Sequence, residues 1–501
     1  MTDPMTRRPA ERLDEFLSLV GQTAWKPDAD LRMIAEWLPR ELGAEVAIVN
    51  GTMKTVELST SGFSERVLEH LEPMLARLTT GRVASAAMDV GTAQVRLEAV
   101  GTELPRRVLV LVSPAPLTRR AAALASHTGG ILAALHRARE TDRRTRGYQQ
   151  KAHQLRMGVL MALQAGDPLL ARRMTIGAVP ELLECDRLRV HILRCGKDDR
   201  ERIDQAHQDP SGYHGDGLMV RCPVYDEHLV CLIADRDRDG SGAEATDGLA
   251  AVLRDLVADN PHYALGISGS HPLPATAEAY EQARHALAVA SNTRGRVAGY
   301  HGQEPLERLL PRAGAIEWAG SVLGPLAALP ELTTEITRLA MHFHRSGVAR
   351  ILNVSRNTVT AHLGRAQSAL GLNLRDIRCR ATLALALGVA ALHPEVGRTS
   401  AHADPPALEE LLRTRPAAEW GRTFLAPLQD ARYQPVHHTL RAWIDANADA
   451  QRAARRLGCS RTTVTAHLRT AERRLTRDLL SSGSGVHDLV HALSLAGDSP
   501  L

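Results

Sequence analysis

Apolar positions recur at helical spacing across residues 11–43, first as Leu13, Phe16, Leu17 and Val20, then as Leu31, Ile34, Ala35 and Leu38. Two helices are expected there. AEVAIVN (44–50) and TVELST (55–60) read as partner strands. Ser64 is placed to cap a helix running to about Leu78, with Val67, Leu71 and Leu75 on one face. Three strand-like runs follow at 83–90, 93–100 and 106–113. From about Leu117 to Leu163 the breakers are Gly129, Gly130, Gly147 and Gly158, which predicts a long connecting helix or a helix pair. Its apolar residues, Ile131, Leu132, Leu135, Leu155, Val159 and Leu160, suit dimerisation and packing on the chain's own domain equally.

Ala165-Gly166-Asp167-Pro168 is a break. Beyond it the pattern predicts a helix (168–184), a strand (187–195), an exposed polar loop (196–217) and a hairpin (218–225, 228–235). A second loop (235–248), a helix (249–258), a strand (263–270) and a helix (276–290) complete a second α+β domain.

The last 200 residues carry no clear strand pattern, and they repeat. AIEWAGSVLGPL (315–326) matches AAEWGRTFLAPL (417–428) at an offset of 102, and SRNTVTAHL matches SRTTVTAHL at an offset of 105. The three-residue difference falls between the motifs, where the second copy has the longer DANADAQ (445–451). HPEVGRTSAHADPP (393–406) reads as a linker between two duplicated all-α domains.

Within each copy the pattern is that of a helix-turn-helix. Ala349, Ile351 and Leu352 close a short helix, Asn353-Val354 is the turn, and Ser355 is a good N-cap. Val359, Leu363, Ala366 and Leu370 then form one apolar face, as Val464, Leu468, Ala471 and Leu475 do in the second copy. The candidate DNA-binding residues are Ser355, Arg356, Asn357, Thr358, Thr360, His362 and Arg365, with Ser460, Arg461, Thr462, Thr463, Thr465, His467 and Arg469 as their counterparts. Short polar groups and guanidiniums at the start of such a helix are what meets base edges and phosphates: Arg reads guanine or holds phosphate, Asn reads adenine, Thr touches a thymine methyl. His362 and His467 suit either phosphate proximity or packing beside the apolar face. A capped amphipathic helix with a merely solvated charged face explains one copy more easily than two.

Charge distribution agrees. Residues 301–501 hold 24 Arg, no Lys and 18 Asp+Glu, a balance of 24 − 18 = +6 against +4 for the whole chain, so the rest is 4 − 6 = −2. The basic excess sits with the repeated motif, as phosphate contact requires.

These residues give a nameable resemblance. The C-terminal copies resemble the helix-turn-helix domain of PucR-type (CdaR-like) bacterial transcription regulators, through VLGPL (322–326), Ala349-x-x-Leu352-x-Val354 and Arg356-Asn357-Thr358-Val359. The short motif also resembles the LuxR type, but VLGPL favours PucR. The family continues with Arg-Tyr-Arg-Leu where this chain has Thr360-Ala361-His362-Leu363, and the second copy has Thr462 in place of the family's Asn. The middle domain, with YALGISGSHP (263–272) before EAYEQARHALAVA, is similar to the GGDEF-like domain that precedes the helix-turn-helix in that family. The first α+β segment resembles a GAF-type sensor.

The expected organisation is therefore multidomain. A GAF-like α+β sensory domain (1–116) and connecting helices (117–164) lead to a GGDEF-like domain (165–300). Helix-turn-helix domain 1 (301–392), a linker (393–414) and helix-turn-helix domain 2 (415–501) complete the chain. The expected function is sequence-specific transcription regulation, with a double-stranded DNA operator, a small-molecule effector and a second copy of the chain as partners. An interaction scaffold with vestigial helix-turn-helix domains is the alternative.

No catalytic role is expected. The chain lacks a GG[DE]EF signature, Gly129-Gly130 sits in a helical pattern, and neither GISGSH (266–271) nor SSGSG (481–485) has the Lys-Ser/Thr of a phosphate loop. The six cysteines form no C-x-x-C, and neither they nor the 22 histidines, His342, His344, His437 and His438 included, stand at metal-ligand spacing. No metal or cofactor is expected. Scattered thiols and an N-terminus without an apolar leader suggest the cytoplasm, and no run approaches a membrane span.

Overall fold

The computed structural model describes residues 9–24, 31–50, 52, 55–101, 104–235, 248–396, 405–481 and 483–497. The predicted loop 235–248 falls almost wholly outside them. The chain divides into two compact units, residues 1–150 and 151–501.

The first unit begins with α1 (Pro9–Ala24), α2 (Arg32–Ala35) and α3 (Trp37–Leu42). The strands are β1 (Glu45–Asn50), β2 (Thr55–Ser59), β3 (Ser85–Val90), β4 (Ala93–Val100) and β5 (Arg107–Ser113), with α4 (Glu72–Thr79) between β2 and β3. They form an antiparallel sheet in the order β2-β1-β5-β4-β3. Alternate side chains of a strand face opposite ways. Val46, Ile48, Leu109 and Leu111 meet Phe16, Ile34, Leu38 and Leu132, whereas Ala47, Val49, Val108 and Val110 meet Leu71, Leu75 and Leu78. The central strands are covered on both faces, which is why they read as near-continuous apolar runs. Ser64 makes no cap bond. A 3-10 turn over Glu65–His70 precedes α4 instead of one continuous helix.

The connecting stretch is one helix, α5 (Arg119–Gln164). Glycine is tolerated inside it at Gly129 for a packing reason. A Cβ there would stand 2.4 Å from a methyl of Leu109, so the helix backbone lies directly on the sheet. Residues 141–148 are all exposed, so no apolar stripe runs the helix's length. Ala125 and Leu132 are buried in the first unit's core, Val159, Leu160 and Leu163 in the second's.

The second unit continues with α6 (Pro168–Met174), β6 (Arg187–Arg194), α7 (Lys197–Ala206), β7 (Gly217–Arg221), β8 (His228–Ala234), α8 (Leu249–Asp259), β9 (Ala264–Ile267), β10 (His271–Pro272), α9 (Thr276–Ala290) and β11 (Val297–Gly299). The sheet runs β11-β9-β6-β8-β7, with β10 also paired to β6. One face packs on α9 and the end of α5, the other on α8. The predicted loop 196–217 contains α7, and the predicted helix 168–184 ends at Met174, short of Gly177 and Pro180. α7 is almost wholly charged. It is held through buried Ile203 and through Asp204, whose two carboxylate oxygens both accept from Nη2 of buried Arg156, at 2.7 and 2.9 Å.

The described residues of 301–501 contain helices and no strands. Copy 1 comprises α10 (Arg312–Leu323), α11 (Glu331–His342), α12 (Arg345–Ile351), α13 (Arg356–Leu370) and α14 (Ile377–Leu392). After α15 (Leu408–Leu412), copy 2 repeats it as α16 (Arg415–Leu425), α17 (Gln434–Asp445), α18 (Ala450–Leu457), α19 (Arg461–Leu475) and α20 (Gly483–Leu495). The stretch read as linker thus contains a helix, and Leu408, Leu411 and Leu412 are buried in the core that both copies share. The bounds of α11 and α17 differ by 103 residues at both ends, those of α13 and α19 by 105. One of the three extra residues therefore precedes α17, and the other two lie in the turn before α18.

Candidate nucleic-acid interface

The geometry starts at the turns. Asn353 has φ 52° and Gly458, 105 positions on, has φ 68°. Asn and Gly are the residues that enter the left-handed region most cheaply, so each turn between the two short helices has a residue suited to it. Ser355 and Ser460 then stand at extended φ and ψ, and their hydroxyls accept the Thr358 and Thr463 N–H groups at 3.0 Å. Thr358 and Thr463 close each cap, their Oγ1 atoms 2.8 and 2.9 Å from the serine Oγ. Four of the predicted site residues are therefore structural as well: they fix where α13 and α19 begin.

The inward faces are those expected. Val359 and Ala366 are fully buried against α11 and α12, with Leu363 and Leu370 beside them. In copy 2, Val464, Leu468, Ala471 and Leu475 are buried. His362 and His467 sit on this side, each with Nδ1 2.8 Å from a threonine hydroxyl, Thr333 of α11 or Thr439 of α17. Both bonds tie the recognition helix to its supporting helix.

The outward faces are open. Arg356, Asn357, Thr360 and Arg365 are exposed in copy 1, Arg461, Thr462 and Arg469 in copy 2, with Thr465 half-buried. Thr360 and Thr465 donate their hydroxyl protons back to the carbonyls of Arg356 and Arg461 at 2.9 and 3.0 Å, which leaves lone pairs and a methyl for a ligand. α18 adds exposed Arg452, Arg455 and Arg456 beside α19, and Arg473 and Arg474 extend the basic surface. Sequence reasoning passed over the three α18 arginines. Their signal was available: in AQRAARRL every position outside the apolar face is Arg or Gln.

Both recognition helices belong to a body that includes the middle domain. In copy 1, the Arg350 guanidinium of α12 meets Asp226 at 2.9 Å, and the His344 ring stacks on Tyr225 with centroids 6.0 Å apart. In copy 2 the contact is buried and charged. Arg284 of α9 reaches Asp478 at 3.1 Å, Glu281 at 3.3 Å and the Tyr225 hydroxyl at 3.2 Å. The Asp478 N–H donates to His285 Nδ1 at 3.0 Å. Burial, then the Arg477 charge, pushes the His285 imidazole well below its ordinary value, so it is neutral, as an Nδ1 acceptor must be. Burial drives the Glu281 carboxyl up, but the Arg284 charge, with the Ser484 hydroxyl donating to the carboxylate at 2.5 Å, outweighs it and holds it at about 2.

One group of metal-ligating type occurs among the described residues, in the first unit, where Glu57, His136 and Glu140 converge. The Arg107 guanidinium already bridges the two carboxylates, 2.5 Å from Glu57 and paired with Glu140. With Arg144 also paired to Glu140, two guanidiniums balance the two carboxylates.

Both copies match the PucR C-terminal helix-turn-helix domain. The matched segments are residues 336–389, from α11 into α14, and 436–494, from α17 into α20. No curated protein sequence matches the chain. The double PucR match, on units with open recognition faces, supports a DNA-binding transcription regulator. Among the described residues no helix is long and apolar enough to cross a membrane.

Proposed function

We propose that the chain is a sequence-specific transcription regulator of PucR type, cytoplasmic and regulatory rather than catalytic, whose N-terminal domains answer to a small-molecule effector. The observation that carries the reading is the pair of capped, outward-facing recognition helices on two PucR-type units. The first α+β unit, GAF-like in element order, is the sensory candidate. Contacts of the middle domain, read as GGDEF-like, with α12 of one copy and the loop after α19 of the other support a relaying role for it. As a homodimer the protein presents four recognition helices.

The test is capture of fragmented genomic DNA by the full-length protein over a range of salt. Enrichment of a few loci is expected, with log affinity falling linearly in log salt as phosphate contacts release counterions. Failure to retain any duplex at low salt rejects the reading. A footprint no longer than that of a dimer with one reading unit per chain argues against use of both copies.

A further inference from the structure

We infer that a single chain reads two unlike half-sites of duplex DNA at one fixed spacing, an inference that rests on the DNA-binding role proposed above. The spacing is fixed because the two copies share a core. α14 lies against α20, with α10 packed on α14 and α16 on α20. Trp318, Ala381 and Leu385 of copy 1 are buried in the same cluster as Phe424, Leu489 and Val490 of copy 2. Polar bonds set the register between them. Asn447, at φ 60°, accepts the Ile377 N–H and donates to the Arg375 carbonyl, both at 2.7 Å. Arg378 meets Asp445 at 2.8 Å, and His491 Nε2 is 3.2 Å from the Ala381 carbonyl oxygen.

Tandem domains joined by flexible chain sample a broad range of separations. Close-packed helices that share one apolar core do not slide past one another. Thr360, Leu363 and Gly364 of α13 even line the same cleft of about 660 Å³ as Trp443, Asn447 and Leu468 of copy 2. The separation and angle of α13 and α19 are thus properties of the folded chain.

The half-sites are unlike because the outward faces have diverged. Both helices open with Arg-x-Thr-Val-Thr-Ala, but Asn357 corresponds to Thr462. Asn can bond an adenine edge bidentately and Thr cannot. Gly364-Arg365 corresponds to Arg469-Thr470, so the next guanidinium is displaced by one residue, about 100° around the helix. Ser368 corresponds to Arg473.

Charge is unequal as well. α18 and α19 present Arg455, Arg456, Arg461, Arg469, Arg473 and Arg474, with Arg452 paired to Asp449, whereas α12 and α13 present Arg345, Arg356 and Arg365, with Arg350 paired to Asp226. Copy 2 supplies the larger share of phosphate attraction, and copy 1 the adenine-reading asparagine.

The experiment is selection from random duplexes by the wild-type full-length protein, followed by affinity measurements on the best site. Two different base blocks at one spacing are expected. Inserting about half a helical turn, ~5 base pairs, should weaken retention by about 100-fold or more, the loss of roughly two base-pair contacts. Asn357→Thr, at an exposed position, should change base preference in one block only. A single block, two identical blocks, or affinity within about threefold after the insertion overturns the fixed two-site geometry and leaves the DNA-binding role standing. If no sequence is enriched and no duplex is retained at low salt, that role has failed and the inference falls with it.

Discussion

Replacing Glu472 with Gln should stabilise the protein at alkaline pH and do little in acid. Glu472 is buried on α19, where its Oε1 accepts the Leu479 and Leu480 N–H groups at 3.0 and 3.1 Å. Copy 1 does the same with a neutral residue: Gln367 Oε1 accepts the Leu374 N–H at 3.3 Å, each atom 105 positions earlier. Burial first, then the Asp478 charge, raises the Glu472 carboxyl from an ordinary 4.5 to about 7, against the pull of the two N–H donors. Below about pH 4.5 folded and unfolded chains both keep the proton, and the group is neutral to stability. Between there and pH 7 the unfolded chain releases it and the folded chain does not, so stability falls as pH rises. Above pH 7 the full difference applies, about 3 kcal/mol at roughly 1.4 kcal/mol per pH unit. Gln removes this penalty and keeps an acceptor for both N–H groups, whose pull on the carboxylate is already contained in the value of about 7. The expected gain is about 1–3 kcal/mol near pH 8.5, mostly gone by about pH 5. Urea unfolding followed by tryptophan emission reports it, because Trp318, Trp420 and Trp443 are all buried in the shared helical core. An unchanged midpoint at pH 8.5, or a gain that does not shrink in acid, would refute the reasoning.

The same unfolding assay tests the contact with the middle domain. Arg284→Met leaves Asp478 and Glu281 without their buried cation, and the unfolding free energy should drop by about 3–5 kcal/mol; a loss under about 1 kcal/mol would mean the pair is relaxed or hydrated. Thr476 ends α19 at φ 51°, where copy 1 has Gly371 at φ 65°. A β-branched residue is strained there by about 1 kcal/mol, so Thr476→Gly should raise the unfolding free energy by up to that amount, and a lowered value would contradict the strain. Arg356→Ala with Arg461→Ala should abolish retention of the selected operator while leaving the unfolding midpoint in place, each single change lowering the salt slope by about 1 if its arginine meets phosphate. Retention at physiological salt would show that these helices do not read DNA.

Where the sequence carried periodic burial, the fold was legible from it. The runs at 44–50, 106–113, 187–195 and 228–235 became β1, β5, β6 and β8, because sheets covered on both faces need unbroken apolar strands. α7 was missed because its single buried aliphatic, Ile203, makes no pattern, and its other anchor, the bond from Asp204 to Arg156, spans 48 residues. β10 and β11 are two and three residues long and owe their extended form to the partner strands β6 and β9. α15 was read as linker because LEELL is too short to display a period, and only tertiary burial of its leucines makes it a helix.

The candidate interface was legible on its outward side and hidden on its inward one, and the repeat explains the difference. Comparing copies in sequence exposes every divergence, but gives no indication of which side is buried. Gly371, Leu372, Asn373 and Gln367 of copy 1 correspond to Thr476, Arg477, Asp478 and Glu472 of copy 2. Read as surface, these changes add charge to a presumed solvated loop. In the fold Arg477, Asp478 and Glu472 are all buried, Arg477 bonded to Asp488 at 2.7 Å with its guanidinium 5.4 Å over Tyr300, and Asp478 bonded to Arg284 of α9. Charges removed from water are strongly destabilising unless paired, so they persist where a partner stands fixed opposite them. In copy 1 Asn373 is exposed, and the charges of its loop, Arg375 and Asp376, stand at other positions than Arg477 and Asp478 do in copy 2. The end of α19 farthest from its capped start is therefore where copy 2 meets the middle domain, and the two ends of one helix stand in different surroundings.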